Sequence, residues 1–335
     1  MRKRIEEIDY KNYLDVYQTQ KAIKFVKDTF EKELSNKLDL LRVSAPLFVS
    51  SQSGLNDGLS GKEKPISFNI PYLDEEVEIV HSLAKWKRTA LSKYDIHLYK
   101  GLYTDMNAIR KDEEVDFIHS IYVDQWDWEI SILEKDRTYS FLKKIVKKIY
   151  SCIYHLSLKI EKLYPEIKSS LPKDIYFISS KELEKRYPNL SRKEREDEIC
   201  RNHHAVFLYQ IGDKLKDKMP HDSRAADYDD WKLNGDILVY YPLFDMAFEL
   251  SSMGIRVNKS SLIRQLKEKD ELDKLNNEYC KAILNDEIPL SIGGGIGQSR
   301  LCMYMLQKAH IGEVQVSIWD KEEIEKLKKQ NIYLL

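Results

Sequence analysis

The sequence lacks an excess of basic residues and any long uncharged apolar run. Its 335 residues contain 54 Lys and Arg against 55 Asp and Glu, so the formal net charge is -1. Proteins that mainly grip a phosphate backbone usually carry a basic excess, so nucleic-acid binding is disfavoured as the main function. The N-terminal MRKRIEEIDYK has basic residues without a following apolar segment. We therefore expect neither a signal peptide nor a membrane span.

The sequence also lacks paired cysteines. Four cysteines occur singly, with no C-x-x-C pair, at Cys152, Cys200, Cys280 and Cys302. This spacing favours neither a zinc site nor a disulfide framework. We therefore expect reduced thiols and a cytoplasmic protein.

The apolar pattern that is present predicts two long helices, over residues 15–37 and 138–164. Strands are predicted in clusters, among them residues 101–110 and 117–130, which a hairpin would join. Strict alternation of strands and helices is absent. The pattern therefore favours an α+β fold with a largely antiparallel sheet flanked by helices over a doubly wound parallel sheet. No repeat or linker stands out, so we expect a single domain over residues 1–335.

The stretch SIGGGIGQSR, residues 291–300, combines four glycines with an arginine. It lacks the Lys-Ser/Thr of a P-loop, and Gln298 stands where the dinucleotide fingerprint needs its last glycine. Ser299 does not lie in a G-x-S-x-G elbow. Two interpretations stay open. The glycines form a tight turn before a helix, or they expose bare backbone to a flat ring on which Arg300 stacks, as in a purine-nucleotide site.

The segment VHSLAKWKR places four polar residues at a strand-to-helix junction: Ser82, Lys85, Lys87 and Arg88. Lysines beside a helix N-terminus attract carboxylates or phosphates. An isolated cluster of this kind is more often an exposed basic helix face, and that alternative stays open.

In the segment FIHSIYVDQWDWEI, strand alternation places Val123, Gln125, Asp127 and Glu129 on one face and two tryptophans on the other. A packed strand does not bury an amide and two carboxylates without partners. A solvent-facing edge is the alternative, but the tryptophans favour a well-packed strand. We therefore predict a polar pocket lined by Gln125 and Asp127.

The segment HDSRAADYDDW places Arg224 beside Asp227, Asp229 and Asp230. Such a segment is usually a solvated loop, but an arginine among acids also serves as a phosphate clamp near metal-binding carboxylates. Asp236 and Glu249 follow on apolar strands. Their hard oxygen ligands suit Mg²⁺ bound together with phosphates.

Taken together, several strings resemble the ammonia-dependent asparagine synthetase (aspartate–ammonia ligase) family: VHSLAKWKR, GLYTDMNAIR, YVDQWDWE, RAADYDDW, NGDILV, FELSSMGIRV and IGGGIGQSR. That family has the catalytic core of class II aminoacyl-tRNA synthetases. The helix leading to Pro46, the hairpin with Arg110 and the glycine-rich strand before Arg300 are similar to the three class II motifs. The matches run from about Ile23 to the C-terminus.

The resemblance implies an enzyme that activates the side-chain carboxylate of L-aspartate with ATP as β-aspartyl-AMP. Ammonia then converts this intermediate to L-asparagine and AMP, after pyrophosphate has left. The resemblance further implies a homodimer, a single catalytic domain and Mg²⁺ bound with ATP. It implies neither a tRNA nor a membrane partner.

The resemblance also implies the site residues. Catalytic roles are expected for Asp57, Arg110 and Arg224. Aspartate is expected to bind Ser82, Lys87, Gln125, Asp127 and Ser252. The nucleotide is expected to bind Arg110, Asp229, Asp236, Glu249, Gly293, Gly294, Gly295 and Arg300. Mg²⁺ is expected to bind Asp236 and Glu249. Asp57 or Asp127 is expected to accept the proton that ammonium loses.

Two other functions are weighed against this one. An aspartyl- or asparaginyl-tRNA synthetase would share the activation step, but we expect no oligonucleotide-binding barrel before the first motif, and the chain has no basic excess. A binding paralogue without catalysis would keep the fold. It is disfavoured because the arginines and carboxylates named above are all present.

Overall fold

The computed structural model describes residues 2–56, 58–59 and 63–335. In this part of the chain the strands are β1 (Leu40–Arg42), β2 (Phe48–Ser50), β3 (Ser67–Ile70), β4 (Glu75–Ile79), β5 (Gly101–Ile109), β6 (Tyr122–Ser131), β7 (Tyr176–Ser179), β8 (Ala205–Tyr209), β9 (Asp229–Tyr241), β10 (Met246–Arg256) and β11 (Ser291–Gly297). The α-helices there are α1 (Val16–Leu38), α2 (Ala84–Lys93), α3 (Tyr139–Leu163), α4 (Ser180–Arg186), α5 (Arg192–His203), α6 (Lys259–Lys269), α7 (Glu278–Leu284), α8 (Gln298–Met305) and α9 (Lys321–Lys328). None of these helices combines the length and apolar content needed to cross a membrane.

A large sheet has the strand order β1-β5-β6-β11-β10-β9-β8-β7. The outer pairs β1–β5 and β7–β8 are parallel, and the pairs between them are antiparallel. The predicted α+β fold with a largely antiparallel sheet is therefore confirmed. A smaller sheet of order β2-β4-β3 was not predicted, because β3 is four residues long and mostly exposed, so it carries no buried alternation.

One face of the large sheet is closed by α1 and α3. The Asp15 carboxylate caps α1 by accepting from the Gln18 backbone N–H at 2.7 Å. The buried stripe of α1 recurs every four residues, at Ala22, Val26, Phe30, Leu34 and Leu38. Each large apolar side chain of this kind stabilises the fold by ~1.5–3 kcal/mol. The ring of Phe30 lies 5.0 Å from that of Trp126 in β6, so this face of the sheet is an apolar core.

The opposite face of β6 carries its polar side chains, as the alternation predicts. Trp126 and Trp128 are fully buried in the core, whereas Asp127 between them contacts Lys87 of α2. Helix α2 therefore lies over the polar face. A ligand must approach the sheet from this side.

Candidate active site

A cavity of about 440 Å³ lies on the polar face of the large sheet. Its floor is built by cross-strand register, because Ser252 of β10 lies opposite Gly295 of β11, and Gly295 lies opposite Asp127 of β6. Gly297 lies opposite Gln125 in the same way. Three neighbouring strands thus present an amide, a carboxylate and a hydroxyl to one cavity.

The cavity has two chemically different ends. The lysine end is defined here by the side chains of Ser82, Lys87, Gln125, Asp127 and Arg256. The arginine end is defined by the side chains of Arg110, Arg224, Glu249 and Arg300. All of these residues line the cavity, so the structure brings together residues predicted from segments far apart in the sequence.

At the lysine end, Lys87 and Asp127 form a buried ion pair. The Lys87 ammonium contacts Asp127 Oδ1 and donates to the Gly294 carbonyl oxygen at 2.7 Å. Burial lowers the pKa of Lys87, although the charge of Asp127 opposes this shift. Asp127 Oδ2 is also buried and has no hydrogen-bond partner among the described residues. This carboxylate oxygen is thus left for a ligand that donates, such as an ammonium group.

Helix α2 turns its basic residues inward. Lys85, Lys87 and Arg88 are all buried, and Arg88 donates to the backbone carbonyls of Pro289 and Val257 at 2.8 Å each. The alternative of an exposed basic helix face is therefore wrong.

Behind the lysine end lies a buried ionic network that was not predicted. Arg256 donates to both carboxylate oxygens of Glu129, at 2.9 and 2.7 Å, and contacts Asp229 Oδ1. Ser291 also donates to Glu129, at 2.6 Å. Burial alone would lower the pKa of Arg256, but Glu129 and Asp229 outweigh it and raise that pKa well above its usual value. Arg256 is therefore a permanent cation in the cavity wall.

The glycines of β11 make room for polar side chains of β6. A Cβ atom on Gly293 would lie 1.8 Å from Glu129 Oε2, and one on Gly295 would lie 2.4 Å from Gln125 Oε1. The run is an extended strand that leads directly into α8, so the alternative of a tight turn is wrong. Gly294 and Gly295 line the cavity, whereas Gly293 lies under Glu129 and outside the lining.

At the arginine end, Arg300 follows β11 and lies between Glu249 and Phe248. Its Nη1 is 3.6 Å from Glu249 Oε2, and its guanidinium carbon is 5.8 Å from the Phe248 ring centre. Burial would raise the pKa of Glu249, but Arg300 and Arg224 lower it more strongly. The guanidinium plane is thus held at the cavity wall, where a flat ring could stack on it.

Arg224 is paired with two carboxylates. Its Nη2 lies 2.7 Å from Asp236 Oδ2 and 3.0 Å from Asp222 Oδ2. Asp236 also hydrogen-bonds to Ser252 and does not itself line the cavity. Burial raises the pKa of Asp236 to about 8, and Glu249 and Asp222 add to this shift while Arg224 opposes it.

The remaining predicted residues lie at the rim or outside the described chain. Arg110 donates to the His81 carbonyl oxygen at 3.3 Å, and its Nε is buried without a hydrogen-bond partner among the described residues. Ser82 Oγ accepts from the Ala84 backbone N–H at 3.3 Å where α2 begins. Asp57 lies outside the described residues.

Within the described part of the chain, no group of three or more His, Cys, Asp or Glu side chains is arranged to hold a metal ion. The predicted metal pair, Asp236 and Glu249, consists of two carboxylates that interact electrostatically. In the structure, arginines balance both of them. A divalent cation bound together with phosphate groups fits this donor set, because the phosphates would take over the arginines.

Sequence reasoning missed Arg256 as a cavity residue, although it closes the quoted string FELSSMGIRV. It also missed a cluster on the opposite side of Gln125, where Asp124 accepts from the Ser299 hydroxyl at 2.8 Å and from Gln315 at 3.3 Å. Both features depend on pairing between distant segments. The available signal was charge on an apolar strand, which marks Glu129 and Arg256 equally.

The sequence comparisons with known proteins agree on one family. The family model described as aspartate-ammonia ligase matches residues 17–331. A protein named aspartate–ammonia ligase from Ruminiclostridium cellulolyticum is 53% identical over 327 residues, covering 97% of this chain and 97% of that protein. One of the same name from Fusobacterium nucleatum is 55% identical over 326 residues, covering 97% and 99%.

Comparison of structures gives the fold. An asparaginyl-tRNA synthetase from Entamoeba histolytica in complex with asparaginyl-adenylate is similar with a TM-score of 0.65 and 14% identity, covering 90% of this chain and 66% of that one. An asparaginyl-tRNA synthetase from Pyrococcus horikoshii with the same ligand gives 0.63 and 16%, covering 89% and 68%. The fold is thus that of class II aminoacyl-tRNA synthetases, and the chain belongs to the aspartate–ammonia ligase family.

Proposed function

We propose that the protein makes L-asparagine from L-aspartate, ATP and ammonia, with AMP and pyrophosphate as the other products. The observation that carries this proposal is the single cavity on one sheet face, in which a buried Lys87–Asp127 pair faces a group of arginines. The lysine end suits an amino acid, and the arginine end suits a nucleotide. We propose that residues 1–335 form one catalytic domain.

The amino acid binds at the lysine end in this proposal. Asp127 Oδ2 accepts from the α-ammonium group of aspartate, because this buried oxygen otherwise lacks a partner among the described residues. Two of the three N–H donors of Lys87 go to Asp127 and Gly294, so Lys87 mainly holds Asp127 in place. Gln125, Ser82 and Ser252 complete the polar wall.

The nucleotide binds at the arginine end. Arg300 stacks on adenine, and the backbone of Gly294 and Gly295 borders the sugar and phosphate region. Arg110 and Arg224 contact the phosphates, while Asp229 and Asp236 hold Arg256 and Arg224 in position. Gly293 acts indirectly, by making room for Glu129.

Asp236 and Glu249 would hold Mg²⁺ together with the ATP phosphates. The ion would supply positive charge that neutralises the phosphate oxygens.

The first chemical step joins two anions, and positive charge is what it needs. A side-chain oxygen of aspartate attacks the α-phosphorus of ATP, a new P–O bond forms, and the bond to pyrophosphate breaks. Arg110 and Arg224 stabilise the charge that develops on the phosphate oxygens. The products of this step are β-aspartyl-AMP and pyrophosphate.

In the second step, the nitrogen of ammonia attacks the acyl carbonyl, AMP leaves as the C–O bond breaks, and the nitrogen releases one proton to solvent to give the neutral amide. Ammonium must first lose a proton, and a nearby carboxylate can accept it. We propose Asp57 for this role, with Asp127 as the alternative. Asp57→Ala should keep much of the pyrophosphate exchange and lower the asparagine formed per AMP. If that ratio stays at the wild-type value, Asp57 has no part in this step.

We propose that the enzyme is a cytoplasmic homodimer that uses no tRNA. Apolar residues are exposed at the N-terminal end of α1 and in or beside β1 and β2, which supports an interface that uses these elements: Tyr13, Val16, Tyr17, Leu41, Leu47 and Phe48. All four cysteines are free and buried, which suits a reducing compartment. Sedimentation of the purified protein at micromolar concentration tests the dimer.

The function is tested with purified protein, aspartate, ATP, Mg²⁺ and ammonium in the absence of tRNA. We expect asparagine and AMP in equal amounts, together with aspartate-dependent exchange of pyrophosphate into ATP. Exchange without asparagine would favour a synthetase-like activity instead. The absence of both reactions would favour a binding protein.

A further inference from the structure

Lys85 of α2 is a buried lysine to which the proposed function assigns no role. Its ammonium lies 2.6 Å from Asp227 Oδ2 and donates to the Gly54 carbonyl oxygen at 3.2 Å. The side chains of Lys85 and Asp227 are 6% and 1% exposed. The ammonium also lies 5.8 Å from the ring centre of Tyr279 in α7. A charge buried this deeply requires a partner, and here the partner belongs to a segment that lines the cavity.

Lys85 and Lys87 point to different places although they are two residues apart. Successive residues of an α-helix are rotated by about 100°, so the two side chains leave α2 about 200° apart. Lys87 enters the cavity and contacts Asp127, whereas Lys85 contacts Asp227 and Gly54. One turn of α2 therefore touches both the amino-acid site and the segment that carries Arg224.

That segment, residues 221–228, is called the arginine loop here. It has neither helix nor strand, so its position depends on contacts with its surroundings. Its carbonyls at Ala225 and Ala226 accept from Trp231 and Gln265, at 3.2 and 2.9 Å. A buried hydrogen-bond contact holds one end, and a buried ion pair holds the other.

At one end of the arginine loop, His221 contacts Glu196 of α5 at 2.8 Å. At the other end, Asp227 contacts Lys85 of α2. Asp227 is three residues after Arg224 and directly precedes Tyr228, and both of these neighbours line the cavity. A shift at Asp227 would therefore move groups at the arginine end.

We propose that the Lys85–Asp227 ion pair fixes the position of the arginine loop relative to α2. It holds Arg224 at the correct distance from the amino acid that the Lys87–Asp127 pair binds. This inference rests on the proposed function and adds a residue pair that touches neither substrate. Attack of a carboxylate on the α-phosphorus depends on alignment, and a misplacement of about 1 Å costs roughly 100-fold in rate.

The decisive variant replaces both partners, Lys85→Met together with Asp227→Leu. Removing one partner of a buried ion pair is strongly destabilising, whereas replacing both by apolar residues of similar volume is often neutral. The double variant should therefore fold. We expect kcat of aspartate-dependent pyrophosphate exchange to fall roughly 30- to 100-fold, while KM for ATP and for aspartate stays within about threefold.

Lys308→Met is the matched control. Lys308 is also a buried lysine, but it contacts Asn12 at 2.7 Å, the Leu14 carbonyl at 3.1 Å and the Glu313 carboxylate at 3.7 Å, none of which lines the cavity. Measured below its unfolding temperature, it should keep the wild-type kcat. A wild-type kcat in the double variant would overturn the proposal.

A double-mutant cycle with Arg224→Ala tests whether the pair acts through Arg224. If it does, Arg224→Ala should reduce kcat much less in the Lys85→Met/Asp227→Leu background than in the wild type. Equal factors in the two backgrounds would overturn the proposal.

Asp227→Asn is the alternative test of the proposal if the double variant does not fold. The amide keeps the shape of the carboxylate and still accepts a hydrogen bond, but it lacks the charge. We expect about a tenfold loss in kcat with both KM values nearly unchanged. An unchanged kcat contradicts the inference. A wild-type protein with no exchange activity would instead contradict the proposed function, so the two failures are distinguishable.

Discussion

At the lysine end of the cavity, charges are paired and buried before any ligand arrives, whereas at the arginine end the Arg300–Glu249 pair remains partly open to solvent. The side chains of Lys87 and Asp127 are 1% and 3% exposed, and those of Arg300 and Glu249 are 24% and 39% exposed. The first pair lies across neighbouring secondary-structure elements of the core. The second joins Arg300, in the first turn of α8, to Glu249 of β10.

This difference in burial gives the two ends different roles. Rearranging buried charges costs free energy, so the lysine end selects its ligand by a fixed pattern of donors and acceptors. Partly exposed pairs contribute little to stability and exchange partners easily. Phosphate oxygens can thus replace Glu249 as the partner of Arg300. Substitutions should therefore affect stability at the lysine end and nucleotide binding at the arginine end.

The largest effect is expected from Arg256→Met. The change leaves Glu129 and Asp229 as buried carboxylates without their cation. We expect the free energy of unfolding to fall by about 3–5 kcal/mol and pyrophosphate exchange to be lost. Urea unfolding followed by circular dichroism measures the first quantity.

Arg264→Met is the control for this prediction. Arg264 pairs with Asp230 at 3.2 Å, but its side chain is one-third exposed. Its loss should cost no more than about 1 kcal/mol. Equal destabilisation by the two variants would remove the distinction between a buried network and a surface pair.

Arg300→Ala should separate binding from stability at the arginine end. Both the stacking plane and the positive charge are lost, so kcat/KM for ATP in pyrophosphate exchange should fall roughly 100-fold or more. The free energy of unfolding should change by less than about 1 kcal/mol, because the Glu249 pair is partly solvated. Arg300→Lys should be nearly as slow, since an ammonium cannot stack as a planar guanidinium does. Near-wild-type exchange in either variant would remove Arg300 from the nucleotide site.

Much of the fold can be predicted from the sequence because its signals are local. The S-x-x-E patterns at Ser179 and Ser191 cap α4 and α5 through hydrogen bonds to the Glu182 and Glu194 backbone N–H groups. The alternation in β6 places Gln125 and Asp127 on the cavity side. Each of these signals lies within one element, where backbone geometry alone fixes the direction of a side chain.

The buried network could not be predicted, because its members meet only through the sheet. Glu129 and Arg256 are 127 residues apart in sequence. Their contact depends on β11 lying between β6 and β10, and on Gly293 having no side chain where the carboxylate lies. Strand order and register of this kind cannot be derived from the polarity of one strand. The same reasoning explains why neither interpretation of the glycine run, a tight turn or a ligand site, included room for Glu129.

Asp127→Asn should fold and should weaken the binding of aspartate much more than the binding of ATP. The amide keeps the volume of the carboxylate but loses the charge that faces Lys87 and, in our proposal, the α-ammonium group of aspartate. Loss of a hydrogen bond to a charged group costs ~1.5–3 kcal/mol, so KM for aspartate should rise about 10- to 100-fold. KM for ATP should stay within about threefold. Equal increases in both constants would place Asp127 in the nucleotide site or give it a purely structural role.

The smallest effect is a shift in pH dependence, and it tests the buried state of Lys87 directly. Burial lowers the pKa of Lys87 below its ordinary value of 10.5, while Asp127 and Glu129 oppose the shift. The ammonium is therefore charged below the lowered pKa and neutral above it. The Lys87–Asp127 pair should weaken as pH rises through that value, and KM for aspartate should increase on an alkaline limb that begins below pH 10.5.

Lys87→Arg provides the comparison, because a guanidinium stays protonated throughout this range. The variant should be slower at every pH, since a longer planar group does not fit the site of an ammonium that donates to Gly294. Its KM for aspartate should rise less steeply with pH, because only the α-ammonium group of the substrate still titrates in this variant. If the limb persists unchanged in Lys87→Arg, another group causes it, and the fixed charge pattern of the lysine end does not depend on Lys87.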